Sequence, residues 1–251
     1  MTTGIYLSGF ALVLGALLGS FIFTTAQRLS RGLSLLPRSS CDHCGQVVSP
    51  LGLIPLLGWL WFRGRCPHCQ GKIAILYPLF ELTNGLLVLL LFFQLGPNPQ
   101  FVVQVILLEL LLLIALVDWR TMEVALGPLF LVLLVQAAWL ILYDPLILQN
   151  SLIGLLGGAG GMYWVRSIYG FVRNREGLGE GDAGVMGMLG WLYGWQALLP
   201  ILFVASIFGI IFGGGLLLFQ KKPLNREIAF GPWLILAGLV IWFFQIPIDI
   251  F

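Results

Sequence analysis

Residues 101–118 read FVVQVILLELLLLIALVD, an apolar run with Glu109 near its middle and Asp118 at its end. A helix needs about 20 apolar residues to cross the hydrocarbon core of a bilayer. The run therefore predicts a membrane-spanning helix that ends at one membrane face with Asp118. Ionisable residues inside or at the edge of a span are costly, so both acidic residues are functional candidates.

Similar apolar runs recur along the chain, which is 59% hydrophobic and only 10% charged, with a mean hydropathy of +0.98. Soluble domains have roughly 25% charged residues, so this composition indicates a protein of the lipid bilayer. We predict an all-α, polytopic membrane protein with about eight transmembrane helices. The predicted spans lie near residues 4–26, 78–95, 101–118, 124–143, 150–171, 183–197, 198–219 and 229–247. The first lacks a preceding basic residue and a following small-residue cleavage site, so we expect a retained helix and not a signal peptide.

The positions of the thirteen Lys and Arg residues predict the orientation. All of them fall in or beside the first, third, fifth and seventh loops. The opposite loops, 96–100, 144–149 and the turn near 198, contain none, and neither do the chain ends. Basic residues accumulate in cytoplasmic loops, so we predict an N-out, C-out topology. The net charge of +2 is then a topology signal and implies no nucleic-acid partner.

The loop between the first two helices, about residues 27–76, contains all four cysteines, in Cys41-Asp42-His43-Cys44 and Cys66-Pro67-His68-Cys69. Two CxxC turns can supply four thiolates to one tetrahedral zinc ion, so we predict a structural zinc site at Cys41, Cys44, Cys66 and Cys69. The alternatives are two disulfides, which a reducing cytoplasm disfavours, or four unrelated thiols. His43 and His68 are spare ligands or solvated side chains. The apolar run 51–62 between the turns could lie in the membrane interface.

A glycine-rich segment, Gly177-Leu178-Gly179-Glu180-Gly181-Asp182, precedes the sixth span at the same predicted face as Asp118. Glycines permit positive φ and close approach of another strand, so we expect Gly179 and Gly181 to border a substrate. The simpler alternatives are that Asp182 only caps the next helix and that Asp118 is an ordinary helix-end carboxylate.

The remaining acidic residues near spans have simpler interpretations. We expect Glu109 to be a protonated carboxyl bonded to a neighbouring helix, Glu81 to be a partner of basic residues, and Glu123 to be solvated. Five glycines in the fifth span predict close helix packing, not phosphate binding: Gly154, Gly157, Gly158, Gly160 and Gly161.

The Gly179–Asp182 segment, together with Asp118 at another helix end, resembles the GxGD intramembrane aspartic peptidases. It is more closely similar to the bacterial type IV prepilin peptidases. The resemblance covers nearly the whole chain. It includes Gly19-Ser20-Phe21, Arg28-Leu29, Arg31-Gly32-Leu33-Ser34, the two CxxC turns, Ile54-Pro55-Leu56-Leu57, Arg63-Gly64-Arg65-Cys66, Tyr77-Pro78-Leu79-Phe80-Glu81-Leu82 and Phe230-Gly231-Pro232.

The resemblance implies that Asp118 and Asp182 are the catalytic pair. It implies leader removal from type IV prepilins or type II secretion pseudopilins at the cytoplasmic face of the bacterial inner membrane. It also implies N-methylation of the new N-terminus with S-adenosylmethionine, for which no motif identifies a site. We expect two domains, residues 1–95 with the tetracysteine loop and residues 96–251 with the peptidase.

Three positions differ from the family pattern. The family's Lys two residues after the second aspartate is Gly184 here, its Pro-Asp or Pro-Asn is replaced in Val124-Ala125-Leu126, and its polar residue before Ile54 is Leu53. The Gly184 change keeps a catalytically divergent paralogue that binds prepilins as an alternative to the peptidase. A second alternative is a transporter that relays protons through Glu109, Asp118 and Asp182.

The helix ends suggest which aspartate starts as the base. Asp182 at a helix N-terminus has its anion favoured, whereas Asp118 near a helix C-terminus has its anion disfavoured. We therefore expect Asp182 to accept the proton from water and Asp118 to donate one.

Overall fold

The computed structural model describes residues 2–36, 38–173, 179–215 and 229–244. Within these ranges the protein has no β-strand, which confirms the predicted all-α class. The α-helices are α1 (Thr2–Ser30), α2 (Leu57–Trp61), α3 (Leu76–Leu95), α4 (Pro99–Thr121), α5 (Leu126–Tyr143), α6 (Leu148–Arg173), α7 (Glu180–Tyr193), α8 (Leu198–Phe208) and α9 (Gly231–Phe243). A π-helical segment, Gly209–Gly214, continues α8, and short 3-10 turns cover Pro50–Leu53 and Trp195–Ala197. Outside the described residues lie Gly177, Leu178, Arg175, Lys221, Lys222 and Arg226.

Apart from the short α2, every α-helix in the described ranges overlaps one of the predicted apolar segments. Five segments are long and apolar enough to cross a membrane: Tyr6–Ser30, Leu76–Leu95, Pro99–Thr121, Leu126–Tyr143 and Trp195–Phe212. The 14-residue α7 is only about 21 Å long at 1.5 Å per residue, less than the hydrocarbon core of about 30 Å. The chain is a multi-pass membrane protein. The count of eight spans and the N-out, C-out orientation stay predictions.

The chain forms two compact units, Met1–Glu109 and Leu110–Phe251. In the first unit, α1 packs closely on α3 because Gly15 and Gly19 have no side chains. A Cβ on Gly15 would lie 2.7 Å from Val88 Cβ, and one on Gly19 would lie 2.8 Å from Asn84 Cβ. The domain boundary expected after residue 95 stays a prediction.

A polar contact inside the first unit joins α3 to α4. Asn84 Nδ2 donates to Glu109 Oε1 at 2.8 Å and to the Gly15 carbonyl at 2.8 Å. The predicted bond between Glu109 and a neighbouring helix is therefore present. Glu81, also buried, accepts the backbone N–H of Leu56 at 2.8 Å, so the partner that the structure gives it is a backbone donor and not the expected basic side chain.

Glycines bring α6 and α7 together in the second unit. A Cβ on Gly154 or on Gly190 would run into the other residue's carbonyl oxygen, and one on Gly158 would meet the Met186 carbonyl. The close packing predicted for the glycines of α6 is thus confirmed at Gly154 and Gly158. Gly160 and Gly161 instead have no atom within 4 Å of the Cβ position. The tight contact fixes α7, whose first turn carries Asp182.

Candidate active site

Asp118 lies in the last turn of α4, which continues three residues further to Thr121. Its backbone carbonyl accepts the N–H of Met122 at 2.8 Å, which closes the helix end. The residue is only 4% exposed, and its Oδ2 atom is buried without a hydrogen-bond partner among the described residues. A buried acceptor left unpaired is costly, so this atom is a candidate for contact with a substrate or water.

Asp182 is the third residue of α7 and is 8% exposed. The backbone N–H groups of Gly179 and Gly231 both interact with its carboxylate. Contact from the third helical residue back to the N-cap, Gly179, is the geometry of a capping box. The contact with Gly231, which comes from α9, is not part of a helix cap. A capping role alone therefore does not account for Asp182.

Gly231, the first residue of α9, is where the two carboxylates meet. A Cβ on Gly231 would run into Asp118 Oδ2 and would lie 3.6 Å from Asp182 Oδ1. The two carboxyl groups thus occupy the space that a side chain at position 231 would need. Sequence reasoning noted Phe230-Gly231-Pro232 only as family sequence and missed this role. The sequence signal that could have indicated this role is Gly231 directly before Pro232 at the start of a span, because a glycine lets other groups approach the backbone closely.

This arrangement can perform acid–base chemistry. Two neighbouring carboxyl groups in a dry site favour sharing one proton, so that one accepts a proton while the other donates one. Asp118 lies in the last turn of α4, and Asp182 lies in the first turn of α7. These are the helix-end positions that favour Asp118 as the acid and Asp182 as the base. Glu180, the other acid of that first turn, is paired with Arg166 at 2.8 Å.

The two glycines of the GxGD segment that the structure describes do not use the positive φ that glycine permits, and their expected place beside a substrate stays a prediction. Gly179 is extended, with φ −66° and ψ 147°, and Gly181 is helical, because α7 begins at Glu180. Gly181 is instead needed for packing, since a Cβ there would run into Val124 Cγ2. Val124, one of the positions that differ from the family pattern, therefore lies directly against the GxGD segment.

The four cysteines form two matching turns in the first unit. In one, Cys41 N donates to Gln46 O and Gly45 N to Cys41 O. In the other, Cys66 N donates to Gly71 O and Gln70 N to Cys66 O. Gly45 and Gln70 occupy the same place in their turns and both have positive φ. The sequence therefore builds the same knuckle twice.

The geometry of the cysteine cluster fits zinc. The Sγ atoms of Cys41, Cys44, Cys66 and Cys69 all lie within 4.8 Å of one another, and all four thiols are free. Cys41 Sγ lies 3.8 Å from Cys69 Sγ, about the separation expected of two thiolates on a tetrahedral zinc. The backbone N–H groups of Cys69 and His68 lower the pKa of the Cys66 thiol to about 6, whereas burial and the neighbouring thiols raise the pKa of Cys69 to about 11, so the clustered thiols lose their protons one after another.

Replacing Cys44 by Ser is expected to abolish stoichiometric metal binding, because a structural site needs all four ligands to close its tetrahedron. Elemental analysis of the purified protein should find about one zinc per chain before the change and almost none after it. His43→Ala is the matched control, since His43 lies in the same turn but outside the four-thiol group. Equal zinc in both variants would contradict the site.

Two family models match the chain. The Bacterial Peptidase A24 N-terminal domain matches residues 13–95, and the Type IV leader peptidase family matches residues 105–214. No solved structure matches the chain.

Three of the relatives that this chain resembles are each described as prepilin leader peptidase/N-methyltransferase. The protein of Aeromonas hydrophila is 34% identical over 210 residues, which cover 82% of this chain and 71% of the relative. That of Stutzerimonas stutzeri is 30% identical over 258 residues, 92% of this chain and 88% of the relative. That of Burkholderia pseudomallei (strain K96243) is 28% identical over 274 residues, 98% of this chain and 88% of the relative.

Proposed function

Because the chain belongs to the type IV leader peptidase family, we propose that it is a membrane aspartic endopeptidase with Asp118 and Asp182 as its catalytic pair. Its substrates are type IV prepilins or type II secretion pseudopilins, from which it removes the leader. The observation that carries the proposal is the meeting of two buried carboxyl groups at the backbone of Gly231.

The reaction needs water, two carboxyl groups and a peptide carbonyl. One carboxylate accepts a proton from water as the oxygen bonds to the carbonyl carbon, while the protonated partner polarises the carbonyl oxygen. The C–N bond then breaks, and a proton passes to the leaving amine. The helix ends support Asp182 as the first base and Asp118 as the first acid.

We place this site at the cytoplasmic face of the bacterial inner membrane. The support is the one-sided distribution of Lys and Arg, because Arg120 follows Asp118 closely and Arg166 contacts the first residue of α7. A substrate whose basic leader stays in the cytoplasm and whose apolar helix lies in the bilayer presents its junction at this face.

The proposal is tested with the purified protein in nanodiscs and a panel of prepilins. Mass spectrometry should detect a product that lacks the leader. The Aeromonas hydrophila relative, assayed on the same panel, is the positive control. If the relative processes members of the panel and this protein processes none, the proposed function becomes that of a prepilin-binding paralogue without catalysis. Gly184 and Val124, two positions near Asp182 that differ from the family pattern, favour that second candidate.

We further propose that the protein N-methylates the new N-terminal residue, as the description of its relatives implies. S-adenosylmethionine would supply the methyl group when bound. No cluster among the described residues identifies its site, so the support is the family alone. Radioactive methyl groups from labelled S-adenosylmethionine should appear on the cleaved pilin, and a fully cleaved but unlabelled product would contradict this part only.

A further inference from the structure

The indole N–H of Trp233 is a buried hydrogen-bond donor that has no partner in the described parts of the chain. Trp233 is 9% exposed and lies in the first turn of α9, two residues after Gly231. An indole nitrogen can only donate a hydrogen bond. Leaving such a donor unpaired in apolar surroundings is unfavourable, so an unpaired group of this kind needs an explanation.

Two aromatic contacts hold the Trp233 ring without using its N–H. The ring of Trp119, the residue after Asp118, meets it edge to face with 5.6 Å between centroids. Phe212 stacks on it at 5.7 Å with an interplanar angle of 11°. Phe212 is 51% exposed and belongs to the π-helical segment Gly209–Gly214, and short π-helical segments are frequent at functional sites.

The same region also holds an unpaired acceptor, Asp118 Oδ2. Asp118 itself thus carries an unpaired acceptor, and Trp233 carries an unpaired donor two residues after Gly231, the residue at which both carboxyl groups meet. An extended peptide offers both kinds of backbone group, with about 3.3 Å of rise per residue. A peptide with its scissile bond at the carboxyl groups therefore also brings neighbouring carbonyl oxygens to this region.

We propose that Trp233 is a substrate-positioning residue whose indole N–H donates to a backbone carbonyl of the bound peptide. The inference rests on the proposed function and deepens it, because it makes the peptide backbone a group that the site recognises. A contact of this kind is made in the bound substrate as well as during hydrolysis, so its loss raises KM and leaves kcat nearly unchanged.

The test replaces Trp233 by benzothienylalanine, whose ring has the same shape but carries sulfur in place of N–H. We expect KM for prepilin to rise about tenfold, with kcat changed by less than about twofold. The unfolding temperature should not fall, because no hydrogen bond among the described residues is lost. The same replacement at Trp191 is the matched control, since Trp191 Nε1 donates to the Leu133 carbonyl at 3.2 Å. It should lower the unfolding temperature and leave KM unchanged.

A binding measurement separates this inference from the proposed function. In an Asp182→Asn background, the benzothienylalanine replacement at position 233 should weaken the binding of a prepilin segment about tenfold. If the protein cleaves prepilin but the replacement at position 233 changes neither KM nor binding, only the role of Trp233 is overturned. The same holds if the replacement at position 233 lowers the unfolding temperature as much as the replacement at position 191 does. A protein that neither cleaves nor binds prepilin would overturn both.

Discussion

Replacing Asp182 or Asp118 by Asn is expected to slow leader removal by about 10²–10⁴-fold, the usual contribution of a positioned acid or base. Asn has nearly the same shape as Asp but can neither accept the proton from water nor share one with the other carboxyl group. Both positions are almost fully buried and meet at Gly231, so bulk water cannot readily take over the proton transfer. The measurement is the initial rate of leader removal in nanodiscs.

Glu123→Gln is the control for this pair of changes. Glu123 lies in the loop after α4 and is exposed, so its neutral variant should cleave at the unmodified rate. Thermal unfolding of all three variants separates a lost carboxylate from a lost fold. An Asn variant that is as stable and as active as Glu123→Gln would remove its aspartate from the mechanism.

Gly231→Ala is expected to reduce the rate by about 10²-fold, since displacing a catalytic group by about 1 Å can have that effect. The added methyl group would occupy the position of Asp118 Oδ2 and press towards Asp182 Oδ1. The obstacle is a pair of carboxyl groups and not the free end of a flexible apolar side chain. The carboxyl groups must therefore separate, and cleavage rates with one prepilin measure the consequence.

Gly184→Ala is the matched control for Gly231→Ala. A Cβ on Gly184 would lie 3.5 Å from Leu129 Cδ1, an ordinary contact. Inside a helix, Ala is favoured over Gly by about 1 kcal/mol. This variant should be at least as stable as the unmodified protein and equally active. The account of Gly231 fails if its Ala variant, folded and stable, cleaves as fast as Gly184→Ala.

The helical architecture was predictable from the sequence because the length of an apolar run is a local signal. The run 101–118 became α4, Pro99–Thr121, and its terminal Asp118 became a buried residue at the helix end. Asp182 was predictable for a similar reason, since a charge beside an apolar run is costly and needs an explanation. Both members of the candidate pair are therefore candidates on sequence grounds alone.

The residues that complete the site were not predictable, because they depend on contacts between distant helices. Gly231 lies 113 residues after Asp118 and 49 after Asp182, and its role is visible only once α9 packs in the second unit. The contact of Val124 with Gly181 is likewise a tertiary contact. The start of α7 was not predictable to the residue either, since the helix begins at Glu180 and the apolar pattern indicated residue 183.

The central claim is that Asp118 and Asp182 act as one unit, and the most direct test is the rate of the Asp118→Asn, Asp182→Asn double variant beside the two single variants. Once either member of a catalytic unit is lost, removal of the other should have little further effect. We therefore predict that the double variant removes the prepilin leader no more slowly than the slower single variant. Losses that multiply in the double variant, or a single variant with the unmodified rate, would contradict the pair.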